Sequence, residues 1–455
     1  MSIIIPANSA VAGGFDVANS CNFEEGSLHK SVSSPSTTFT ISIWVKLTNQ
    51  YVGSSSIGQR YFWSGGGAGG ASGAKWNSGN NGILDFYNEG TGHVNDGTGR
   101  NYRDPSAWYH WVWKNSGGTG TLYVNGVQQG STFSMGPLIG SGGPDVINIG
   151  RYGADTVYSP LTMAEFVYLD GTGATPSSFG ETDDDTGIWK PKSVSGLTFG
   201  TNGFYLDFQD SSNLGNDANG GTDLTKTGTL VQQTDTCTNN FCTINALDNF
   251  YEAGTLAEGN LKYTANTGNS TFITSTFGVG NGRWYYEVLC STEGSNSYKT
   301  VGFTPTPSTA TNNWFGEDAD HVSYYNNGKI YNNGSGTNYG NSWSANDILG
   351  CYLDLTSNKA YFSKNGVLQN SGTGYDISGA AFDTSPFWFF TVGMPAAQSP
   401  GTVLEANFGN PTFAISSGNT DDNGYGNFEY SPNITGDGAA KSFYAICTKN
   451  LAEYG

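Results

Sequence analysis

Apolar and polar positions alternate in short runs along most of the chain. Residues 39–47, FTISIWVKL, carry Phe39, Ile41, Ile43, Val45 and Leu47 between Thr40, Ser42, Trp44 and Lys46. That period of two sets one face of a strand against a core. WYHWVWK (108–114) reads as a second, aromatic strand, and TLYVNGVQQG follows a Gly/Ser turn. There Leu122 and Val124 share a side, while Asn125-Gly126 supplies the positive φ of a type I′ hairpin turn. Further strands are predicted over 83–87, 146–149, 162–169 and 203–208. Residues 211–245 break the pattern, with Ser, Thr, Asn, Asp and Gly dominating. An irregular stretch of that length is uncommon inside one compact domain, so it reads as a linker.

The patterning then resumes in GRWYYEVLC (282–290), KTVGFT (299–304), DHVSYYNNGKIYNN (320–333), NDILGCYLDL (346–355), KAYFSKNGVLQ (359–369), FWFFTVGM (387–394) and VLEANFG (403–409). Asn327-Gly328 and Asn365-Gly366 mark hairpin turns here. Many short strands with such punctuation predict a sandwich. The expected organisation is a first β domain over 1–210, a linker over 211–245, a second β-sandwich over 246–415 and a tail over 416–455. Phe443, Ile446 and Leu451 in the tail need cover, which reads as docking on a sheet, a subunit or a partner.

Composition narrows the class. The chain has 455 residues and 66 glycines, and its charged residues make up 13%, against about 25% in an average protein. Helix-rich architectures fit this badly, because glycine penalises helix interiors. Aromatic residues at 14% exclude general disorder. The fold class is therefore all-β, as two tandem antiparallel β-sandwiches. The net charge of −19 with no basic stripe argues against nucleic acid and anionic lipid as partners. No apolar run approaches the length of a membrane span, and MSIIIPANSA lacks the charge and apolar length of a signal peptide. Six cysteines (Cys21, Cys237, Cys242, Cys290, Cys351, Cys447) are scattered and read as structural thiols, with a disulfide or a metal site as the alternatives.

Two resemblances build on these segments. FTISIWVKL, WYHWVWKNSGGTGTLYVNGVQQG, INIGRY and MAEFVYLDG follow in the order of the laminin-G-like, concanavalin-A-like jelly roll. That resemblance implies two packed antiparallel sheets with binding loops at one edge. In the second half RWYYEV, VGF, NDILGCYLDL, AYFSKNG and the closing Asn407-Phe408-Gly409 resemble a SPRY (B30.2-type) domain over about 246–415, which implies a binding module. Asn346 stands where that family commonly has glycine. The segments 162–192 and 198–220, with the terminal FYAICTKNLAEYG, are similar to passages in tail-fibre-like proteins of tailed bacteriophages, marine ones in particular.

Catalytic patterns are sparse. A G-x-S-x-G elbow and H-E-x-x-H are absent. Residues 65–70 match G-x-G-x-x-G only within a glycine run, and no helix follows to hold a phosphate. Glu181 and Asp183 to Asp185 alternate in a loop-like segment, readable as a solvated turn, a partial calcium site or, least well, glycosidase carboxylates. The aromatic residues Trp76, Trp314, Tyr324, Tyr325, Tyr331, Tyr339 and Trp343 lie in or beside Gly/Asn-rich stretches. Exposed rings there suit sugar faces or protein anchors, and core or hairpin packing is the competing reading. Tyr324 and Tyr325 adjoin in one strand, so at most one is expected to face the core.

The expectation from all this is a non-enzymatic phage virion protein, a tail fibre or receptor-binding adhesin working by multivalency as a trimer. Its partners are a host cell-surface glycan or protein and other virion proteins, it is a homo-oligomer, it needs no cofactor, and it resides on the virion. Alternatives are a capsid decoration or head-fibre protein and a polysaccharide depolymerase.

Overall fold

The computed structural model describes residues 14–48, 60–66, 72–77, 83–88, 92–95, 100, 102, 104–139, 145–153, 158–248, 254–265, 271–294, 298–307, 313–394 and 401–455. The amino-terminal segment and most of the glycine run at 65–70 lie outside them. Strands dominate the described residues, and one short α-helix, Thr448–Tyr454, occurs among them. Two compact units divide the chain, the first ending at Asn240 and the second starting at Phe241.

In the first unit the strand order runs Gly92–Asn95, Ile83–Asn88, Ser72–Asn77, Arg60–Gly65, Val146–Ile149, Ser20–Ser31, Leu161–Asp170, Phe39–Leu47, Trp108–Ser116, Thr119–Val124, Val127–Ser134. The chain doubles this sequence of strands over a core in which Phe39, Ile41, Ile43, Val45 and Leu47 meet Phe62, Trp63, Trp111 and Trp113. Every residue of Phe39–Leu47 is buried, although alternation alone predicts one wet face. The reason is an outer layer. Phe179, Val194 and Phe199 cover Val112, Val167 and Leu169, and Val17 and Cys237 cover Trp44, Trp108 and Ala164. One residue in Leu161–Asp170 breaks the period: Ala164 pairs with Trp44 and Val167 with Ser42, leaving one residue too many. Glu165 takes a left-handed φ of 51° there. Such a bulge restores the facing pattern, so Met163 and Phe166 both reach the core.

The stretch read as a linker is part of this unit as far as Asn240, which corrects both the boundary at 210 and the linker assignment. Thr225–Gln233 pairs antiparallel along Ser20–Ser31. Lys46 Nζ then donates to Asp235 Oδ2 at 2.6 Å and to Asn240 Oδ1 at 2.7 Å. The alternation was invisible because the strand is a polar edge, with only Leu230 and Gln233 buried.

The second unit is a sandwich of two sheets. One runs Thr255–Ala257, Lys262–Thr264, Val403–Asn407, Arg283–Thr292, Ile348–Asp354, Lys359–Lys364, Val367–Leu368, and the other Thr271–Val279, Trp388–Met394, Thr300–Thr304, Val322–Tyr325, Lys329–Asn332, Ser335–Asn338. Tyr286, Val288, Val301, Phe303, Tyr324, Phe362 and Phe390 pack between them. Gly302 of the VGF strand is obligatory, since a Cβ there would lie 1.9 Å from the Val322 carbonyl oxygen. Asn346, the departure from the family pattern, holds a left-handed φ of 69°, which asparagine tolerates better than most residues.

The carboxy-terminal stretch docks on its own unit, which corrects the assignment of 416–455 to subunit or partner docking. Tyr444–Ala445 pairs parallel with Trp284–Tyr285, and Phe428, Phe443 and Cys447 close over Tyr285, Tyr352 and Tyr361. Those tyrosines sit on the outer sheet face, so the strand pattern of the sheet itself created the need for a cover. All six cysteines are buried free thiols.

Candidate binding site

The strands Val322–Tyr325, Lys329–Asn332 and Ser335–Asn338 form the free edge of the second unit's smaller sheet. Two different turns build it. Asn333 and Gly334 have φ of 51° and 69°, the type I′ signature. Asn327-Gly328 is not such a turn: Gly328 alone is left-handed, at 82°, and its N–H donates to Tyr325 O at 3.0 Å, closing a three-residue loop. The outermost strand, Ser335–Asn338, is exposed along its length. Loop 313–321 lies against this hairpin, held by Asn333 N–H to Asp318 O and Gly334 N–H to Gly316 O, both 3.0 Å. Asn332 Nδ2 adds bonds to the carbonyls of Ala319 at 2.6 Å and His321 at 2.8 Å.

This arrangement brings three of the seven sequence candidates together. Trp314 meets Tyr325 edge-on at 5.8 Å and Tyr331 at 5.7 Å, and the two tyrosine rings lie 4.2 Å apart. Trp314 and Tyr331 are half-buried. Tyr325 is only 5% exposed, because the loop covers the outward face of its strand. Tyr324 and Tyr325 therefore do point to opposite faces, yet both are buried. The Tyr325 hydroxyl has no hydrogen-bond partner among the described residues, and burial, then Tyr331 and Glu317, raises its pKa well above the usual phenol range. Asn327 Nδ2 donates to the Tyr331 hydroxyl at 3.1 Å. Gly336 passes under that ring, where a Cβ would come within 2.7 Å. Glu317 and Asp318 are exposed at the rim. Sequence reasoning missed these two acids, although the run NNWFGEDAD places them directly after Trp314.

The other four candidates are interior, which corrects their reading as exposed ligand contacts. Tyr324 stacks on Phe362 at 5.0 Å and donates to Asn341 O at 2.7 Å. Tyr339 packs against the same Phe362 and donates to Thr373 O at 3.1 Å. Trp343 lies under the Lys299 ammonium at 5.2 Å. Trp76, in the first unit, donates to Tyr102 O at 2.9 Å and carries the Arg60 guanidinium over its ring. Gly/Asn-rich flanks misled because here they shape turns around buried rings.

Groups able to do chemistry are engaged elsewhere. His321 Nε2 lies 3.7 Å from Asp318 and 3.9 Å from Asp320, and these three converge as a metal site's ligands would. However, His321 Nδ1 accepts the Gly316 N–H at 3.0 Å, so the neutral ring holds its proton on Nε2 and offers no lone pair to a cation. Burial lowers its pKa, against the pull of Asp320, Asp318 and Glu317. The Ser42–His110 pair, 2.8 Å apart, is inert for a related reason. His110 Nδ1 accepts the Trp189 indole N–H at 3.0 Å, which leaves the Nε2 proton facing the serine, and burial lowers the ring's pKa to about 3. Asp183 holds Thr186 through Oδ1 and Lys190 through Oδ2 at 3.0 Å, while Asp184 and Asp185 are exposed. A cleft of about 520 Å³ in the first unit is lined by His29, Lys30, Asn202, Asn219 and Asp223, but Asn202 is engaged by Ser33 and Asp170, and Asp223 by Asn213 and Asp217.

Comparison with known proteins agrees with both folds. Residues 283–410 match the SPRY domain, and residues 24–167 match the Concanavalin A-like lectin/glucanases superfamily. The chain carries a concanavalin-A-like sandwich followed by a SPRY sandwich. Ran-binding protein 9 of Xenopus laevis is 28% identical over 169 residues, 35% of this chain and 29% of that protein. The Ran-binding proteins 9/10 homolog of Drosophila melanogaster is 29% identical over 134 residues, 29% of this chain and 13% of the relative. The chain thus spans less than a third of the length of these relatives. The SPRY domain of human HERC1 is similar at 22% identity and a TM-score of 0.28, covering 33% of this chain and 90% of that one. These animal relatives overturn the expectation of a phage virion adhesin or capsid protein, and of a virion location. The segments 162–192 and 198–220 that carried it supply a core strand and the outer cover of the first sandwich, a demand that the fold itself makes.

Proposed function

We propose that this chain is a non-catalytic binding protein whose SPRY sandwich holds an extended segment of a partner protein at its free edge. The observation that carries this reading is the Trp314–Tyr325–Tyr331 cluster beside the exposed strand Ser335–Asn338. An exposed edge offers backbone donors and acceptors to an added strand, and half-buried aromatic rings are the usual anchors of protein contacts. Relatives named for binding a protein favour a protein partner over a glycan. The engaged state of Ser42–His110 and of the Asp318–Asp320–His321 group favours binding over chemistry.

The test is selection from a randomised library of displayed peptides with the full chain as bait. Trp314→Ala is expected to weaken the selected peptides by about 2 kcal/mol, roughly thirtyfold. Thr229→Ala, at an exposed strand position of the first unit, is expected to leave them unchanged. Equal binding by all three chains, each folded by circular dichroism, refutes the assignment.

A further inference from the structure

Resting on that reading, the chemistry of the edge narrows what the segment must carry. The three rings are too close together to enclose a cation, with centroids 4.2 to 5.8 Å apart. A ligand group therefore lies on the outside of the cluster. Glu317 stands beside that surface. Its Oε2 accepts the Trp314 backbone N–H at 3.4 Å, and its other oxygen takes no bond among the described residues. Asp318, 51% exposed, follows it, with Asn313 Nδ2 on Oδ2 at 2.6 Å. Beneath, the Tyr325 hydroxyl is buried and has no partner among the described residues. Lys329, two residues from Tyr331 on the same strand face, is the cation nearest in sequence to the cluster, so two carboxylates outnumber one ammonium.

We infer that the edge recognises an arginine of the partner segment, its guanidinium stacked on Trp314 and paired with Glu317. A flat ring beside a carboxylate suits a planar cation better than a compact ammonium, because guanidinium stacks on aromatic faces and binds carboxylate through two parallel N–H groups. The net charge of −19 adds a long-range field that draws basic segments in.

The probe is a set of three peptide libraries identical except for a central arginine, lysine or glutamine, retained on the immobilised full chain. The arginine library is expected to be retained about tenfold over glutamine and severalfold over lysine. Glu317→Gln, at an exposed position with little bearing on folding, is expected to remove most of that preference, and Lys329→Gln to increase it. Equal retention of the three libraries, or a preference that survives Glu317→Gln, overturns the inference. If Trp314→Ala abolishes retention while the three libraries behave alike, the arginine assignment falls and the segment-binding reading stands. If Trp314→Ala changes nothing, both fall.

Discussion

Glu165 shows how much of this structure hangs on single residues. It is the extra residue of the bulge, it holds a left-handed φ of 51°, and the Tyr205 hydroxyl donates to its Oε2 at 2.6 Å. Burial pushes its carboxyl up to about 8, only partly offset by that hydrogen bond. A folded-state pKa above the unfolded one makes a stability contribution complete below the ordinary carboxylate range, and it is lost as pH rises through about 8. Glu165→Gln removes the titration. The variant is expected to gain on the native chain as pH goes from about 6 to about 9, measured as urea midpoints of the first unit; a constant offset between the two chains rejects the assignment. The bulge also marks a limit of legibility. Alternation reads Met163 as inward and then places Phe166 outward, whereas both are in the core, because the slip is made by backbone conformation that residue type does not announce. Tyr325 fails similarly: its outward direction was legible, but the loop that covers it folds back from a non-alternating stretch.

At the scale of strands, the central ones were readable because each buries one regular row of side chains, while the edges and covers were not. Thr225–Gln233 shows why. A strand that pairs on an edge and faces water on most positions has no apolar row to display, so composition made it resemble a linker. What ties the following residues down is a buried ion pair. Lys46 Nζ lies 2.6 Å from Asp235 Oδ2, with both side chains nearly inaccessible, and the Trp108 indole N–H donates to Asp235 Oδ1 at 3.1 Å. Removing one partner leaves the other charge buried and uncompensated, at a cost of about 3–5 kcal/mol. Lys46→Met is therefore expected to lower the stability of the first unit by about that amount, a shift visible in its denaturant midpoint. A loss below about 1 kcal/mol, the range of a surface pair, shows that water reaches the site.

Across the molecule each sandwich carries a cover on a sheet face that strand alternation alone leaves open. In the first unit it is Phe179, Val194 and Phe199, and in the second it is the chain after residue 420. That second cover brings polar order as well as apolar area. Glu287, buried in the sheet, accepts the Tyr285 hydroxyl at 2.8 Å, Asn407 Nδ2 at 3.1 Å, and the backbone N–H groups of Glu429 at 3.0 Å and Tyr430 at 2.7 Å. Burial still lifts its carboxyl to about 7 against those four donors, so losing two of them leaves a poorly solvated acid inside the sheet. Ending the chain at residue 415 removes both N–H groups together with Phe428 and Phe443, and bares Tyr285, Tyr352 and Tyr361. Exposed aromatic area of that kind promotes association, so the shortened chain is expected to aggregate or to bind a hydrophobic dye with its second unit unfolded. Phe443→Ala tests the same contact more gently. It keeps the backbone donors to Glu287 and is expected to cost about 3–5 kcal/mol as a buried phenylalanine deletion, read from the thermal midpoint. A shortened chain as soluble and as heat-resistant as the full one establishes instead that the two sheets stand without their cover, and that residues after 415 are free to leave the sheet for another partner.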